Sequence, residues 1–199
     1  MKIRHTLLAT LLAASLPGFA AAQSFDCVTN NGACAAAESY LSWSLVGNLF
    51  TIANNQTAGG GSFVRNIYFD YNTATMSVAN PTSGGGTVAF TAGGTPANLP
   101  GAPAGFVADA LWTANNPGAT YGVNAGESIS FAMSGVTLAS FTNGSMRVGV
   151  HFQGLTNGIS EGLVTITSAV PEPESYAMFL AGLGLMGTIA RRRNSAKSA

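Results

Sequence analysis

Charged side chains are scarce in this sequence, at 8% of 199 residues, and most of the basic ones lie near the two ends. Between residues 23 and 169 the only basic residues are Arg65 and Arg147, and the formal charge of that segment is −4. Its acids are Asp26, Glu38, Asp70, Asp109, Glu127 and Glu161. Since a segment without a basic patch cannot neutralise phosphates, the composition excludes nucleic acid as a partner.

Groups suited to catalysis are also few. His151 is the one histidine between residues 23 and 169, and the alternation in MRVGVHF places it with Arg147 on the polar face of a strand. A serine-type triad would need Asp70 or Asp109 beside His151, but no G-x-S-x-G motif supplies a nucleophile. We therefore expect no enzymatic activity and no cofactor.

Metal-binding motifs are missing as well. Asp70, Asn72 and Glu161 could offer oxygen ligands to calcium, but no D-x-D-x-D-G loop is present. Cys27 and Cys34 without a nearby histidine fall short of a four-ligand zinc site. We predict no metal site.

Amphipathic helical patterns of 10–12 residues are absent between residues 23 and 169, where short strand-like runs alternate with Gly, Asn and Pro clusters. Residues 33–42 could begin as a helix before turning into a strand. This pattern predicts an all-β domain over residues 23–169, an antiparallel β-sandwich of jelly-roll-like form. A Pro/Gly-rich loop at residues 92–105 is expected to cross between sheets or to be mobile. The predicted strands are residues 40–46, 49–52, 63–71, 75–78, 87–91, 111–113, 128–133, 136–141, 146–152 and 163–167.

The chain has only two cysteines, and they flank a turn-forming sequence. Cys27 and Cys34 stand at the ends of CVTNNGAC, in which Asn-Asn-Gly favours a tight turn. Disulfides form readily in exported proteins, so we predict a bond between these two cysteines.

The first 22 residues have the composition of a secretory signal peptide. Lys2, Arg4 and His5 form a basic start, and an apolar run of about ten residues follows at 7–16, too short to span a bilayer. The A-x-A pattern at residues 20–22 predicts cleavage by signal peptidase after Ala22.

Residues 170–199 combine three features in order. Pro171-Glu172-Pro173 comes first, and its prolines cannot belong to a central strand. Residues 176–190 then carry no charge, which predicts a short transmembrane helix. Arg191, Arg192 and Arg193 follow directly, and such a basic cluster holds its end of a membrane segment in the cytoplasm.

This tail resembles the PEP-CTERM sorting domain in the order and spacing of all three features. The resemblance implies export by a Gram-negative bacterium that makes exopolysaccharide, and recognition by an exosortase, a membrane-embedded enzyme. It implies that Pro171, Glu172 and Pro173 are the sorting motif and that Arg191, Arg192 and Arg193 are the basic stop. A membrane-anchored intermediate would then pass to the cell surface or the extracellular matrix. Such a tail says nothing of the activity of the domain before it.

Aromatic residues leave one alternative function open. Trp43 follows Leu41 and precedes Leu45 at a period of two, which indicates the core. Trp112 stands beside an Asn-Asn-Pro turn and is the candidate for an exposed ring on which a sugar stacks. We therefore expect a non-catalytic envelope or matrix protein, with a carbohydrate-binding module of the exopolysaccharide matrix as the alternative.

Overall fold

The computed structural model describes residues 22–166, and within them short strands predominate. Gln23, which directly follows the predicted cleavage residue Ala22, is the first residue of β1. The strands are β1 (Gln23–Cys27), β2 (Leu41–Val46), β3 (Leu49–Asn54), β4 (Phe63–Tyr71), β5 (Ser77–Val78), β6 (Thr82–Ser83), β7 (Phe90–Ala92), β8 (Ala110–Ala114), β9 (Ser128–Ser134), β10 (Met146–Gln153) and β11 (Glu161–Thr165). The α-helices are α1 (Cys34–Tyr40), α2 (Gly118–Tyr121) and α3 (Leu138–Thr142), with a 3-10 turn at Thr156–Gly158.

The strands form one continuous antiparallel sheet. Its order is β5-β9-β3-β2-β1-β11-β10-β4-β8-β7, and β6 also pairs with β9. β1 joins the two halves, since its first residues pair with β2 and its last residues pair with β11. The all-β, antiparallel prediction is confirmed, and the two layers of this sandwich-like fold are halves of a single curled sheet.

Aromatic side chains from both halves meet in the core. Phe69 of β4 lies 4.8 Å from Phe131 of β9 and 6.2 Å from Phe50 of β3, measured between ring centroids. Trp43 of β2 is buried in the same cluster, as its period-two spacing predicted. Edge-to-face aromatic pairs add about 0.5–1.5 kcal/mol each beyond their burial, so these contacts stabilise the closure of one half on the other.

Helix α3 closes one end of this core and corrects one strand prediction. Residues 136–141 were expected to extend the β9 ladder, but α3 begins at Leu138. Thr137 and Ser140 form a reciprocal capping box, which satisfies backbone donors at the start of the helix. Phe141 then stacks on Trp43 at 4.6 Å. The helical start predicted within residues 33–42 is confirmed by α1, which passes directly into β2.

The Pro/Gly-rich loop packs as an outer layer. Leu99 and Phe106 are buried in a second apolar cluster with Tyr68 of β4 and Val164 of β11. Gly149 of β10 lies beneath them, where an added Cβ would come within 2.8 Å of Leu99 Cδ2. Leu99 and the adjoining Phe106 thus pack on the outer face of the β4–β10–β11 half. The loop connects β7 and β8, which are paired neighbours in the sheet, and this corrects the expectation that it crosses between sheets.

None of the helices within residues 22–166 has the length and apolar character needed to span a bilayer. The predicted membrane helix at 176–190 lies outside the described residues. Residues 1–21 of the predicted signal peptide and the whole segment 170–199 lie outside them too.

Candidate functional site

The predicted disulfide is present at one end of the sheet. Cys27, the last residue of β1, is bonded to Cys34, the first residue of α1, with 5.5 Å between their Cα atoms. Asn30 and Gly32 take positive φ angles of 56° and 109° in the loop between them. An Asn-Asn-Gly turn tolerates such angles, which brings the two sulfurs together.

Glu161 holds this loop from inside the protein. The side chain is fully buried at the start of β11, and its carboxylate accepts hydrogen bonds from Asn31 N–H at 3.0 Å and Ala33 N–H at 2.8 Å. The hydroxyl of Thr29 donates to the same carboxylate, and Thr29 Oγ1 accepts from Gly162 N–H at 2.9 Å. The disulfide loop is thus wrapped around one buried carboxylate.

Opposing effects set the protonation of Glu161. Burial raises the pKa of Glu161. The hydrogen bonds from Asn31, Thr29 and Ala33 together lower the pKa by more than burial raises it, so the net pKa lies below its ordinary value. The group is therefore an anion at neutral pH. A carboxylate whose oxygens already accept these bonds is a structural acceptor, and it is not poised to transfer protons.

We expect Glu161→Gln to lower the free energy of unfolding at pH 7 by about 1–3 kcal/mol, because the Gln amide places donors against the donors of the loop. The depressed pKa of Glu161 means that its stabilisation is complete above its ordinary value of 4.5. The unfolded chain takes up the proton first, so this stabilisation is lost as the pH falls through the folded-state pKa. Urea denaturation at pH 7 and at several values below pH 5 measures both effects.

The matched control is Asp26→Asn, a similar change at an exposed acid on the neighbouring strand β1. Its free energy of unfolding should stay within about 0.5 kcal/mol of the wild type at every pH. Equal stability of Glu161→Gln and wild type at pH 7, or a gap between them that does not narrow in acid, would contradict this account of the loop.

Metal ligands are not assembled at the disulfide. Both sulfurs and a Glu161 oxygen lie within 4.8 Å of one another. However, the sulfurs are bonded to each other, and zinc requires free thiolates. The Glu161 oxygens are in addition taken by the loop donors, so this cluster does not fit a cation.

The three oxygen-bearing residues considered for calcium are not brought together. Asp70 forms an ion pair with Arg147 near the start of β10, whereas Glu161 pairs in register with Phe152 at its far end. Asn72 instead caps its own turn, accepting from Ala74 N–H at 3.1 Å. The calcium alternative is therefore wrong for this set.

His151 lies on the outer face of β10, as the alternation predicted. Its cross-strand partner is the buried Asn66, and its Nδ1 lies 3.4 Å from Gln153 Nε2. Burial and, secondarily, the charge of Arg65 lower the pKa of His151, so the ring is neutral at pH 7. Neither acid considered for a triad faces it, because Asp70 pairs with Arg147 and Asp109 accepts from Tyr71 N–H at 2.8 Å.

Trp112 belongs to the core, which corrects its assignment as an exposed sugar-stacking ring. Only 6% of its surface is exposed. Its ring meets Phe69 and Phe131 edge-on, each with 5.3 Å between centroids. Both faces of the indole are thus withdrawn from any ligand, and Trp43 is buried as well.

A shallow cleft of about 370 Å³ lies between the start of α1 and the 3-10 turn. Small residues such as Ala35 and Ala36 line most of it, and Thr156 and Asn157 supply its polar side chains. Its lining contains no titratable side chain. The cleft therefore offers no titratable side chain for acid–base chemistry.

The contact between Glu161 and the disulfide loop was missed by the sequence analysis, which considered Glu161 only as a calcium ligand. The donors lie at Thr29, Asn31 and Ala33, about 130 residues away along the chain. The available signal was a single acid two residues before the predicted strand at 163–167. Acids are mostly exposed, so neither the burial of Glu161 nor its partners could be read from the local sequence.

Comparison with known families gives one match, and it falls in the tail. Residues 169–194 match the PEP-CTERM protein-sorting motif, a range that includes Pro171–Pro173 and Arg191–Arg193. Comparisons with curated proteins and with solved structures give no match. The C-terminal segment of this chain is therefore a PEP-CTERM sorting motif, which indicates an exosortase-sorted protein that is exported to the cell surface or beyond.

Proposed function

We propose that this chain is a non-catalytic envelope or matrix protein of a Gram-negative bacterium, associated with exopolysaccharide and delivered through a membrane-held intermediate. The observation that carries the proposal is the sorting motif at residues 169–194. It begins four residues after β11 ends at Thr165, so an antiparallel β-domain leads directly into the sorting signal.

The membrane hold is proposed to be weak and temporary. Residues 176–190 form a stretch of fifteen without a charge, and four of them are Ala181, Gly182, Gly184 and Gly187. As a helix, such a stretch would span about 22 Å, against about 30 Å of hydrocarbon. A short segment interrupted by small residues suits an intermediate that an enzyme later resolves.

The sorting tripeptide is proposed to be presented just outside this segment. Pro171 and Pro173 have no backbone N–H, so the tripeptide cannot be absorbed into the middle of the β-sheet that precedes it. Only Glu174 and Ser175 separate it from Tyr176. A membrane-embedded exosortase can therefore reach it while the β-domain remains folded outside the bilayer.

Three features of the described residues support a role without catalysis. His151 is neutral and faces an amide rather than an acid. Glu161 is engaged by the loop of the disulfide. The cleft beside α1 lacks titratable side chains. Trp112 and Trp43 are both buried and do not support sugar stacking. The association with exopolysaccharide is therefore proposed on the sorting signal alone.

Removing the basic stop tests the proposed topology. Replacing Arg191, Arg192 and Arg193 by Ser should let the tail slip through the membrane, because each arginine costs about 2.5–3.5 kcal/mol to pass through hydrocarbon. The membrane-held precursor and its processing should both decline severalfold. Cell fractionation followed by immunoblotting with an antibody to the β-domain measures the two forms.

The matched control replaces the same three arginines by Lys, which keeps the charge and changes only its chemical group. This variant should fractionate as the wild type does, since the topology depends on positive charge. Processing of the Ser variant at the wild-type rate would show that the arginines do not hold the tail in the membrane. Loss of processing in the Lys variant would show that the guanidinium groups are recognised specifically and that positive charge alone is not enough.

A further inference from the structure

Four exposed large apolar side chains within residues 22–166 lie at one end of the sheet. They are Val46, Leu49, Leu138 and Ile166, and together they are called the apolar end. Val46 is 59% exposed and Leu138 is 47% exposed. Single exposed apolar residues are ordinary on protein surfaces, but a group of them marks a contact surface.

Strand register places these residues together. Val46 and Leu49 are cross-strand partners at the tip of the β2–β3 hairpin, and Leu49 also pairs with Ala132 of β9. β9 then leads through a short turn into α3, whose first residue is Leu138. The tip of the hairpin and the start of α3 therefore share one end of the fold.

The first and last residues of the described chain lie at this same end of the sheet. Gln23 at the start of β1 pairs with Trp43, three residues before Val46. Ile166 N–H donates to Ser24 C=O at 3.1 Å just after β11 ends. The chain thus enters the β-domain, and leaves it toward the sorting motif, beside the exposed apolar side chains.

Net charge is low at this end. Asp70 and Arg147 form an ion pair there, and the Asp109 carboxylate accepts from Tyr71 N–H. Glu127 and Glu161 lie at the other end, because Glu127 C=O accepts from the last residue of β3 and Glu161 begins β11. The ion pair leaves the formal charge of Asp109 as the one uncompensated charge among these three residues, which limits repulsion from an anionic surface.

We propose that the apolar end docks on the lipid surface while the tail is held in the membrane. This inference rests on the membrane-held intermediate of the proposed function. Nine residues, 167–175, separate Ile166 from the uncharged stretch that begins at Tyr176. They can span at most about 32 Å, which keeps the end that carries Ile166 close to the bilayer. Val46, Leu49 and Leu138 then contact the interfacial region.

Docking has a consequence for sorting. A domain held against the lipid keeps the short spacer, with Pro171 to Pro173, close to the membrane plane. A freely tumbling domain would let the same spacer sample a wider volume. The apolar end would thus raise the local concentration of the tripeptide at the depth where a membrane-embedded enzyme acts.

Fluorescence quenching in vesicles tests this docking. The full chain is reconstituted in vesicles of phosphatidylethanolamine and phosphatidylglycerol, with Leu138→Cys carrying an environment-sensitive dye. Cys27 and Cys34 are bonded to each other and do not react with the dye. The matched control is Ala58→Cys, an exposed position in the loop between β3 and β4 at the opposite end. Lipids that carry a spin label in the headgroup region should quench the dye at position 138 severalfold more than the dye at position 58.

A second variant separates docking from insertion of the tail. Val46→Ser with Leu49→Ser should reduce quenching at position 138 to the level of the control, while the protein still floats with the vesicles. Floating with equal quenching at both positions overturns docking and leaves the membrane hold intact. Failure to float overturns the membrane hold itself, and docking with it.

Two other occupants of the apolar end give distinct results. Burial of the dye at position 138 without vesicles, increasing with protein concentration, would assign this end to a second copy of the chain. Quenching that requires exosortase in the vesicles would assign it to the enzyme. Either result overturns the lipid proposal.

Discussion

Phe69→Ala is expected to lower the free energy of unfolding by about 3–5 kcal/mol, the usual cost of truncating a buried aromatic ring. Phe69 is fully buried on β4 and contacts Phe131, Trp112 and Phe50. Two of these partners belong to the opposite half of the sheet. The substitution therefore removes the ring that joins the halves, and urea denaturation followed by circular dichroism measures the loss.

The matched control is Val107→Ala, which also shortens an apolar side chain but at a position that is 65% exposed. Its free energy of unfolding should stay within about 0.5 kcal/mol of the wild type. If Phe69→Ala lost no more stability than Val107→Ala, the two halves of the sheet would not be held together through this ring. A loss too large for the variant to be recovered folded can be followed with Phe69→Leu, which should lose less.

Local sequence patterns were sufficient to predict most of the strands in the sheet. The alternation in MRVGVHF predicted β10 and the faces of His151 and Arg147, because side chains alternate across any strand. Asn-Gly residues likewise predicted the disulfide loop, since they supply the backbone angles that it needs. In each case the deciding interaction lies within a few residues along the chain.

Long-range packing decided the features that sequence reasoning misplaced. Trp112 stands beside a turn, which suggested exposure, but Phe131 of the opposite half buries it. Leu99 lies in the Pro/Gly-rich loop and Phe106 directly follows it, and no local sequence pattern indicates that these residues pack on Tyr68. Residues 136–141 were expected to extend the ladder of the preceding strand, although the capping box of Thr137 and Ser140 starts a helix.

The curled single sheet also could not be read from the sequence. Its continuity depends on β1, which pairs with β2 on one side and with β11, near the other end of the domain, on the other. Strand spacing predicts how many strands there are, but not which distant strands are neighbours. The jelly-roll-like form expected from spacing stays a prediction.

Changing Pro171, Glu172 and Pro173 together to Ala is expected to have the largest effect on sorting. The uncharged stretch and the arginines remain, so insertion of the tail should be unchanged. Recognition by the exosortase should be lost, because the tripeptide is then neither stiff nor acidic. Full-length protein should accumulate in the membrane fraction, with the β-domain outside the bilayer.

Position 174 offers a matched control for this change. Glu174→Ala removes one acid directly beside the tripeptide and leaves Pro171-Glu172-Pro173 intact. We expect this variant to be processed at close to the wild-type rate. Equal loss of processing in both variants would mean that negative charge in the spacer, rather than the tripeptide, is what the enzyme recognises.

The most direct test of exosortase sorting is the rate at which the β-domain is released from the membrane fraction. It is measured by pulse-chase labelling and immunoprecipitation, in cells with and without exosortase. The wild-type chain should be released only where the enzyme is present, and the Pro171, Glu172, Pro173→Ala variant should stay membrane-bound in both strains. Release of that variant at the wild-type rate, or release of the wild type without exosortase, would contradict the account and leave the tail as an anchor alone.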